Sequence, residues 1–302
     1  METLSPANWK EYELIDTGGL EKLERYGQYI LARPEPQAVW GKALPESEWE
    51  HLAQARYRRL KGTDPARTDS SEKGKWIRLK KIPDQWMIGY GYKKMNLRFR
   101  LGLTSFGHIG VFPEQAVNWE YIYDFISGRK KTGMKVLNLF AYTGGASFAA
   151  RAAGAEVVHV DSVKTTINWA RETMESSSLE GIHWVVEDAL KFVKREVRRG
   201  NRYNGIILDP PSYGRGPEGE KWVLQELINE MIYCCSELLA STENLFVFSL
   251  YSMGFSSLIA ENLVSSNFKV KNNTEAGELY INDRAGRKLP LGTFLRFCDP
   301  SS

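Results

Sequence analysis

The sequence predicts an α/β protein in which a doubly wound, mostly parallel sheet follows a smaller N-terminal α+β domain. Three observations carry this. From Lys135 onward, five short apolar runs alternate with helical stretches, the rhythm of strands buried on both faces and joined by crossover helices. Several of those runs end in glycines or acids, the residues that ligands meet at the carboxyl edge of such sheets. Before Lys135 the pattern differs, with aromatic, strand-like runs and turn residues around one helix. The expected division is an accessory domain over 1–104, a connecting segment over 105–134 and the sheet domain over 135–302.

In chain order, Tyr12–Thr17 and Tyr26–Ala32 are predicted strands, closed by Gly18-Gly19 and by Pro34 and Pro36. Ser47–Leu60 is a predicted helix, because Trp49, Leu52, Ala53, Arg56, Tyr57 and Leu60 recur at helical spacing behind Ser47 as N-cap. Gly62–Gly74 reads as a polar loop, and Trp76–Leu79, Trp86–Tyr90 and Met95–Leu101 return to strand composition. In the second part the strands are Val136–Phe140, Glu156–Val160, His183–Val186, Gly205–Leu208 and Leu245–Ser249. Helices are predicted at about Ser147–Ala153, Thr165–Ser176, Ala189–Arg199 and Trp222–Leu239. The tail runs Phe268–Asn272, Leu279–Ile281 and Phe294–Phe297 suit an added antiparallel edge. There is no internal repeat.

With 42% hydrophobic, 12% aromatic and 25% charged residues, the 302-residue chain is ordinary globular material rather than disordered, collagen-like or disulfide-stapled. Cys234, Cys235 and Cys298 cannot all pair and two are adjacent, so a reducing compartment, the cytoplasm, is expected. The longest uncharged stretches, Val136–Ala150 and Asn244–Ala260, fall short of the about 20 apolar residues a membrane span requires. Glu2, with no apolar run after it, does not suit an export signal, and no membrane partner is expected. Net charge is only +3, but residues 1–50 hold 5 Lys/Arg against 10 Asp/Glu while residues 51–112 hold 14 against 4. Such a basic block is the footprint of a polyanion binder, and equally of a solvated face on a small sheet.

The chemistry-bearing residues cluster at strand ends. Asn138-Leu-Phe140-Ala-Tyr142-Thr143-Gly144-Gly145 closes the first strand, where glycines let a ligand approach the backbone and the next helix offers free N–H groups. Asp161 ends the second strand, where a carboxylate can accept from both hydroxyls of a ribose. Asp188-Ala189 follows the third. After the fourth comes Asp209-Pro210-Pro211-Ser212, a stiff turn in which two prolines fix φ and remove two N–H donors, holding the Asp209 side chain and nearby carbonyls in a set orientation.

These motifs, in this order and spacing, resemble the class I S-adenosylmethionine-dependent methyltransferases, specifically the bacterial large-subunit ribosomal RNA methyltransferases and their uncharacterised relatives. Val111-Phe112-Pro113-Glu114-Gln115-Ala116-Val117-Asn118-Trp119 is similar to that group's pre-motif, and the resemblance extends from about Tyr12 to Phe297. It implies a Rossmann-like domain with a seven-stranded sheet, S-adenosylmethionine as cofactor and S-adenosylhomocysteine as product. By resemblance, Tyr142, Thr143, Gly144 and Gly145 approach the methionine moiety, Asp161 holds the ribose, and Asp188 with the Ala189 N–H reads the adenine edge. Gln115, Asn138 and Phe140 belong to the same cofactor-binding set. Asp209, Pro210, Pro211 and Ser212 would face the transferred methyl and the acceptor, Asp209 also touching the cofactor.

Two departures from the family pattern matter. Asn138 stands where the common pattern has an acid, and the turn has two glycines rather than three. No cysteine follows the fifth strand, Leu245–Ser252, and Ser212 follows the prolines, so the thiolate-dependent cytosine-C5 mechanism is rejected. Attack by a nitrogen or oxygen lone pair remains, by direct in-line transfer that depends mainly on positioning. The favoured acceptor is a base nitrogen in structured, ribosomal RNA. Tyr213, Arg215 and Trp222 are expected to stack on bases or contact phosphates, with Lys80, Lys81, Lys93 and Lys94 as a backbone clamp. The rivals are the same chemistry on a protein side chain or metabolite, and a binding protein without turnover. His51, His108, His159 and His183 show no ligand spacing, so no metal is expected, and His159 and His183 are expected in the core. A homodimer is compatible with the sequence.

Overall fold

The computed structural model describes residues 2–7, 9–59, 74–129, 133–251, 254–268 and 273–299. The chain begins with β1 (Glu2–Leu4) and an N-terminal unit of β2 (Tyr12–Gly18), β3 (Glu21–Tyr26), β4 (Tyr29–Pro34), α1 (Glu46–Leu52), β5 (Ala55–Arg59) and β6 (Gly74–Arg78). The hairpin β7 (Gln85–Tyr92) and β8 (Met95–Gly102) follows, then a 3₁₀ turn at Pro113–Gln115 and α2 (Ala116–Ser127). The alternating part comprises β9 (Lys135–Leu139), α3 (Gly145–Ala152), β10 (Glu156–Asp161), α4 (Lys164–Ser176), β11 (Ile182–Val186), α5 (Ala189–Arg198) and β12 (Gly205–Leu208). A small hairpin, β13 (Tyr213–Arg215) and β14 (Lys221–Val223), precedes α6 (Leu224–Leu238), β15 (Leu245–Leu250), α7 (Ser257–Asn267), β16 (Glu275–Asn282) and β17 (Lys288–Cys298).

The large sheet runs β1-β16-β17-β15-β12-β9-β10-β11, parallel from β15 to β11 and antiparallel where β17 meets β15 and β16. The predicted doubly wound sheet with an antiparallel tail is present. Its eighth strand, unforeseen, is β1, which joins β16 in parallel with Glu2 opposite Gly277. A Cβ at Gly277 would lie 1.9 Å from the Glu2 carbonyl oxygen, so only glycine admits β1 there. The chain departs from β9 toward β10 and returns to β12 on its other side, so the sheet's switch point lies between β9 and β12.

Several local expectations give way to tertiary pairing. The helix predicted over Ser47–Leu60 stops at Leu52, and Ala55–Arg59 forms a strand parallel to β4 and antiparallel to β6, because an open sheet edge outweighs a helical periodicity. Ser47 does not cap α1; Pro45 holds that position without a side-chain bond. Leu60 and residues 62–73 of the predicted loop lie outside the described residues, as do Ser252 and residues 269–272. The single strand predicted at Tyr26–Ala32 is instead a turn at Gly27, φ 64°, between β3 and β4. His183 is exposed rather than in the core, because β11 is the sheet's edge strand; His159 is fully buried.

The N-terminal unit is bolted to the large sheet through the β16–β17 turn. Thr17 Oγ1 donates to Asp283 Oδ2 at 2.7 Å, and Arg287 pairs with both Asp283 and Asp16. Asp16 is buried and also accepts from the backbone N–H groups of Thr17, Ala43 and Leu44 and from Trp49 Nε1 at 2.7 Å. The β7–β8 hairpin leans on α4, where Trp169 Nε1 donates to the Arg100 carbonyl at 2.7 Å.

Candidate active site

The carboxyl ends of β9, β10, β11 and β12 open on one edge, where α/β sheets bind ligands. Between β9 and α3 the chain turns tightly: Phe140, Tyr142 and Gly144 have φ of 54°, 49° and 95°. Two left-handed non-glycine residues within three positions mark stored backbone strain of the kind found at functional sites. A Cβ would fall 2.6 Å from the Phe148 ring at Gly144 and 2.5 Å from the Trp119 ring at Gly145, so both glycines are needed for the turn to seat. Beneath it, the buried Asn138 donates Nδ2 to Ser147 Oγ at 2.9 Å, and Ser147 Oγ meets His159 Nδ1 at 3.0 Å. Asn138 thus spends its amide tying β9 to α3. Burial drives the His159 pKa down to about 3, so this trio is uncharged.

Above the turn, Thr143 Oγ1 donates to the Gly110 carbonyl at 2.7 Å and Phe112 packs 5.5 Å from the Tyr142 ring. The Gln115 carbonyl oxygen accepts from Asn118 Nδ2 at 2.9 Å and from Ser249 Oγ at 3.3 Å. Its NH2 end is therefore the one left to donate.

Asp161 accepts from the Tyr142 N–H with one carboxylate oxygen and from the Val163 N–H with the other, both at 2.9 Å. Burial raises its pKa and these two bonds oppose the rise. Each oxygen keeps a lone pair for a further donor. Asp188 is the N-cap of α5, accepting from Lys191 N at 2.8 Å, with Ala189 opening the helix behind it. Asp161, Asp188 and Ala189 line a cleft of about 310 Å³, its mouth included, with Phe140, Pro211 and Trp222 as the apolar wall and Arg215 among its polar lining.

At the end of β12, Asp209 has no hydrogen-bond partner among the described residues, and burial alone pushes its pKa up to about 6. Pro210 is buried behind it, Pro211 is exposed and Ser212 is half-buried. The turn is braced by Trp222 Nε1 donating to the Pro211 carbonyl at 2.7 Å and by Leu224 N donating to the Ser212 carbonyl at 3.0 Å. The segment after Ser212 is a hairpin pinned to α5 by the Lys191–Glu218 ion pair. Trp222 is a correction: it is 2% exposed and packs 4.8 Å from Phe140, so it walls the cleft and has no face for a stacked base. It also lies in β14, so α6 starts two residues later than its predicted beginning.

The basic block is partly consumed internally. Arg56 is buried against Glu21 and Glu46, Arg78 pairs with Asp84, Lys93 with Asp124 at 2.5 Å and Arg100 with Glu172 at 3.0 Å. Lys75, Lys80, Lys81, Lys94 and Arg98 are exposed. Lys61, Arg67 and Lys73 lie outside the described residues.

Motif reading missed a buried polar cluster where the N-terminal unit meets the carboxyl end of β15. Lys22 reaches Glu35 at 3.1 Å and Glu24 at 3.8 Å, Arg33 reaches Glu24 at 2.5 Å, and Tyr251 Oη donates to Glu35 at 2.8 Å. The Glu114 side chain lies among them. The only sequence signal was Glu114 beside Gln115 in the pre-motif; the others join through contacts far apart in sequence. Cys234 and Cys235 are buried in α6, and Cys298 ends β17, so no described cysteine lines the cleft.

The donor set suits S-adenosylmethionine: a carboxylate with free lone pairs beside a helix start, an apolar slot, and a free amide NH2. Among the described residues no three His, Cys, Asp or Glu side chains gather to hold a metal, and no helix is long and apolar enough to cross a membrane. The sequence profile of the family described as S-adenosylmethionine-dependent methyltransferase matches residues 49–262. A crystal structure of a SAM-dependent methyltransferase from Agrobacterium tumefaciens superposes with a TM-score of 0.88 at 35% identity, covering 99% of this chain and 93% of that one. A methyltransferase solved with S-adenosylhomocysteine shares the fold, with a TM-score of 0.67 at 17% identity over 96% of this chain and 76% of that one. The ribosomal RNA large subunit methyltransferase K/L of Shewanella frigidimarina is 34% identical over 139 residues, 45% of this chain but only 18% of that protein's length. By profile and by whole-chain similarity, this chain belongs to the S-adenosylmethionine-dependent methyltransferases and uses S-adenosylmethionine as its cofactor.

Proposed function

We propose that the enzyme methylates a base nitrogen of ribosomal RNA by direct in-line transfer, without a cysteine nucleophile, and that it works in the cytoplasm. The observation that carries this is the Asp209 carboxyl, half-buried and without a hydrogen bond among the described residues, at the start of a proline-stiffened turn beside the cleft. Such a group is held ready to accept from an acceptor N–H. The relatives named as ribosomal RNA methyltransferases favour a base as its owner.

When bound, S-adenosylmethionine supplies an electrophilic methyl on a sulfonium. The chain's own residues position the partners. Asp161 holds the ribose diol, Asp188 and the Ala189 N–H meet the adenine edge in the cleft that Phe140 and Trp222 wall, and the Tyr142–Gly145 turn with the Gln115 NH2 meets the methionine end. Pro210, Pro211 and Ser212 fix Asp209 toward the acceptor, with Tyr213 and Arg215 on the adjoining hairpin. Asp161→Ala is expected to weaken S-adenosylmethionine binding about 10- to 100-fold, as loss of hydrogen bonds to a charged group implies, with the far-ultraviolet circular dichroism unchanged. Calorimetric titration measures it, and an unaltered affinity would remove Asp161 from the ribose site.

The function itself is tested with methyl-labelled S-adenosylmethionine and RNA, protein and small-molecule fractions from cells lacking the gene, with Asp209→Ala as control. Label is expected in ribosomal RNA and absent with the control. Label only in protein or metabolites moves the acceptor to those classes. Charge reversal at Lys80, Lys81 and Lys94 is then expected to reduce RNA affinity and its salt slope; unchanged values would leave these lysines as a solvated face.

A further inference from the structure

Four carboxyls gather where the N-terminal unit meets the carboxyl ends of β12 and β15, in two kinds. Glu24 and Glu35 are buried and matched by cations, Glu24 by Arg33 and Lys22, Glu35 by Lys22. Glu114 and Asp209 have no ion-pair partner among the described residues, and no other residue there hydrogen-bonds to either side chain. Glu114 is 5% exposed, and its carboxyl meets only its own backbone N–H. It is held by the 3₁₀ turn Pro113–Gln115, directly before Gln115. A carboxyl buried without a partner is costly, and its retention calls for a ligand.

The charges around Glu114 come from every element packed on it: Lys22, Glu24 and Tyr26 of β3, Tyr12 of β2, Tyr251 after β15, and Asp209. Burial pushes its pKa up to about 7, Glu24 and Asp209 push the same way, and Lys22 opposes them. Near neutrality Glu114 therefore exists in both protonation states.

We infer that the acceptor is a nitrogen carrying a hydrogen, an exocyclic amine or equivalent N–H, and that Glu114, a buried and unpartnered carboxyl whose charge is felt together with that of Asp209, takes the proton it releases. This rests on the nitrogen acceptor proposed above and narrows it. The nitrogen lone pair forms the new N–C bond, the C–S bond breaks with its electron pair passing to sulfur, and the cationic methylated nitrogen gives one proton to the carboxylate. A ring nitrogen without hydrogen, such as guanine N7, would release none in the transfer itself, and the resulting ring cation would keep its positive charge in mildly acidic solution. Arg33 and Lys22 hold the buried Glu24 below the usual carboxylate range, whereas the unpartnered Glu114 is held above it.

The test counts protons. Wild-type enzyme, methyl-labelled S-adenosylmethionine and the cellular fraction that takes up label are mixed in weak buffer with an indicator dye, and proton release is compared with methyl incorporated. In mildly acidic solution one proton per methyl is expected, with digestion of the labelled product placing the methyl on nitrogen; zero protons, or a methyl on oxygen, overturns the inference. The count does not depend on what the acceptor belongs to, so label in protein with one proton per methyl would refute the ribosomal reading while leaving this one standing. For Glu114's part, Glu114→Gln is expected to lower kcat about 100-fold, the usual contribution of a positioned proton acceptor, with S-adenosylmethionine affinity kept. The rise of rate with pH around 7 should disappear in this variant and be partly restored in Glu114→Asp. A variant that binds cofactor and keeps the wild-type rate and pH profile would remove Glu114 from the proton path.

Discussion

Asp16→Ala is expected to destabilise the protein by about 3–5 kcal/mol, the cost of breaking a buried, hydrogen-bonded ion pair and leaving its partner uncompensated. Asp16 receives three backbone N–H groups, the Trp49 indole and Arg287, so one substitution orphans donors in both the N-terminal unit and the β16–β17 turn. Burial raises its pKa, but the hydrogen bonds from Leu44, Trp49, Ala43 and Thr17 outweigh that and hold it below the usual range. A depressed carboxyl contributes stability above its unfolded pKa and loses it as pH falls through the folded value, so the gap between wild type and variant should narrow in acid. Thermal unfolding at pH 7 should show a drop of about 10 °C. A drop of only a degree or two would mean that the two units are joined elsewhere.

Glu114→Gln should do the opposite to stability. In the native protein the Glu114 pKa lies near 7 against an ordinary 4.5. A raised carboxyl contributes fully below its unfolded value, and that contribution is lost as pH rises through the folded value. Relative to the glutamine variant, which mimics the neutral carboxyl, wild type should therefore lose about 3 kcal/mol between pH 4.5 and 7 and nothing further above pH 8. Denaturant midpoints across that range measure it. A constant offset would show that Glu114 is not titrating in the folded protein. A variant more stable but less active is the familiar signature of a group kept for chemistry at the expense of the fold.

The contrast between these two residues shows what a single sequence makes legible. The strand-end motifs could be read because each is local: a glycine turn, an acid two strands over, an Asp-Pro-Pro stop. Asp16 and Glu35 carry no local signature, and the pre-motif that holds Glu114 says nothing of its burial, since their meaning arises from contacts such as Glu35 with Tyr251 and Asp16 with Arg287. The element misreadings have the same root. Arg56 and Tyr57 fit a helix until β4 and β6 offer a sheet to join. Ala116–Ser127, dominated by aromatic and β-branched residues, and Ser257–Asn267, with three serines and two asparagines among its eleven residues, mix helix formers with weaker ones, yet become helices by covering the sheet. Trp222 looked available for stacking because nothing in the sequence shows the Phe140 ring lying over it.

The pairing of β1 with β16 bears on how the protein is made. Glu2 leaves the ribosome long before Gly277, and at roughly 5–20 residues per second the first strand waits on the order of 15–55 s for its partner. Meanwhile the N-terminal unit can fold without it, since β2 to β6 pair only among themselves. The final sheet edge closes only after nearly the whole chain is out, when β16 and β17 arrive and Arg287 reaches Asp16. Vectorial synthesis thus builds the N-terminal unit first and the large sheet second, and the last event joins the two.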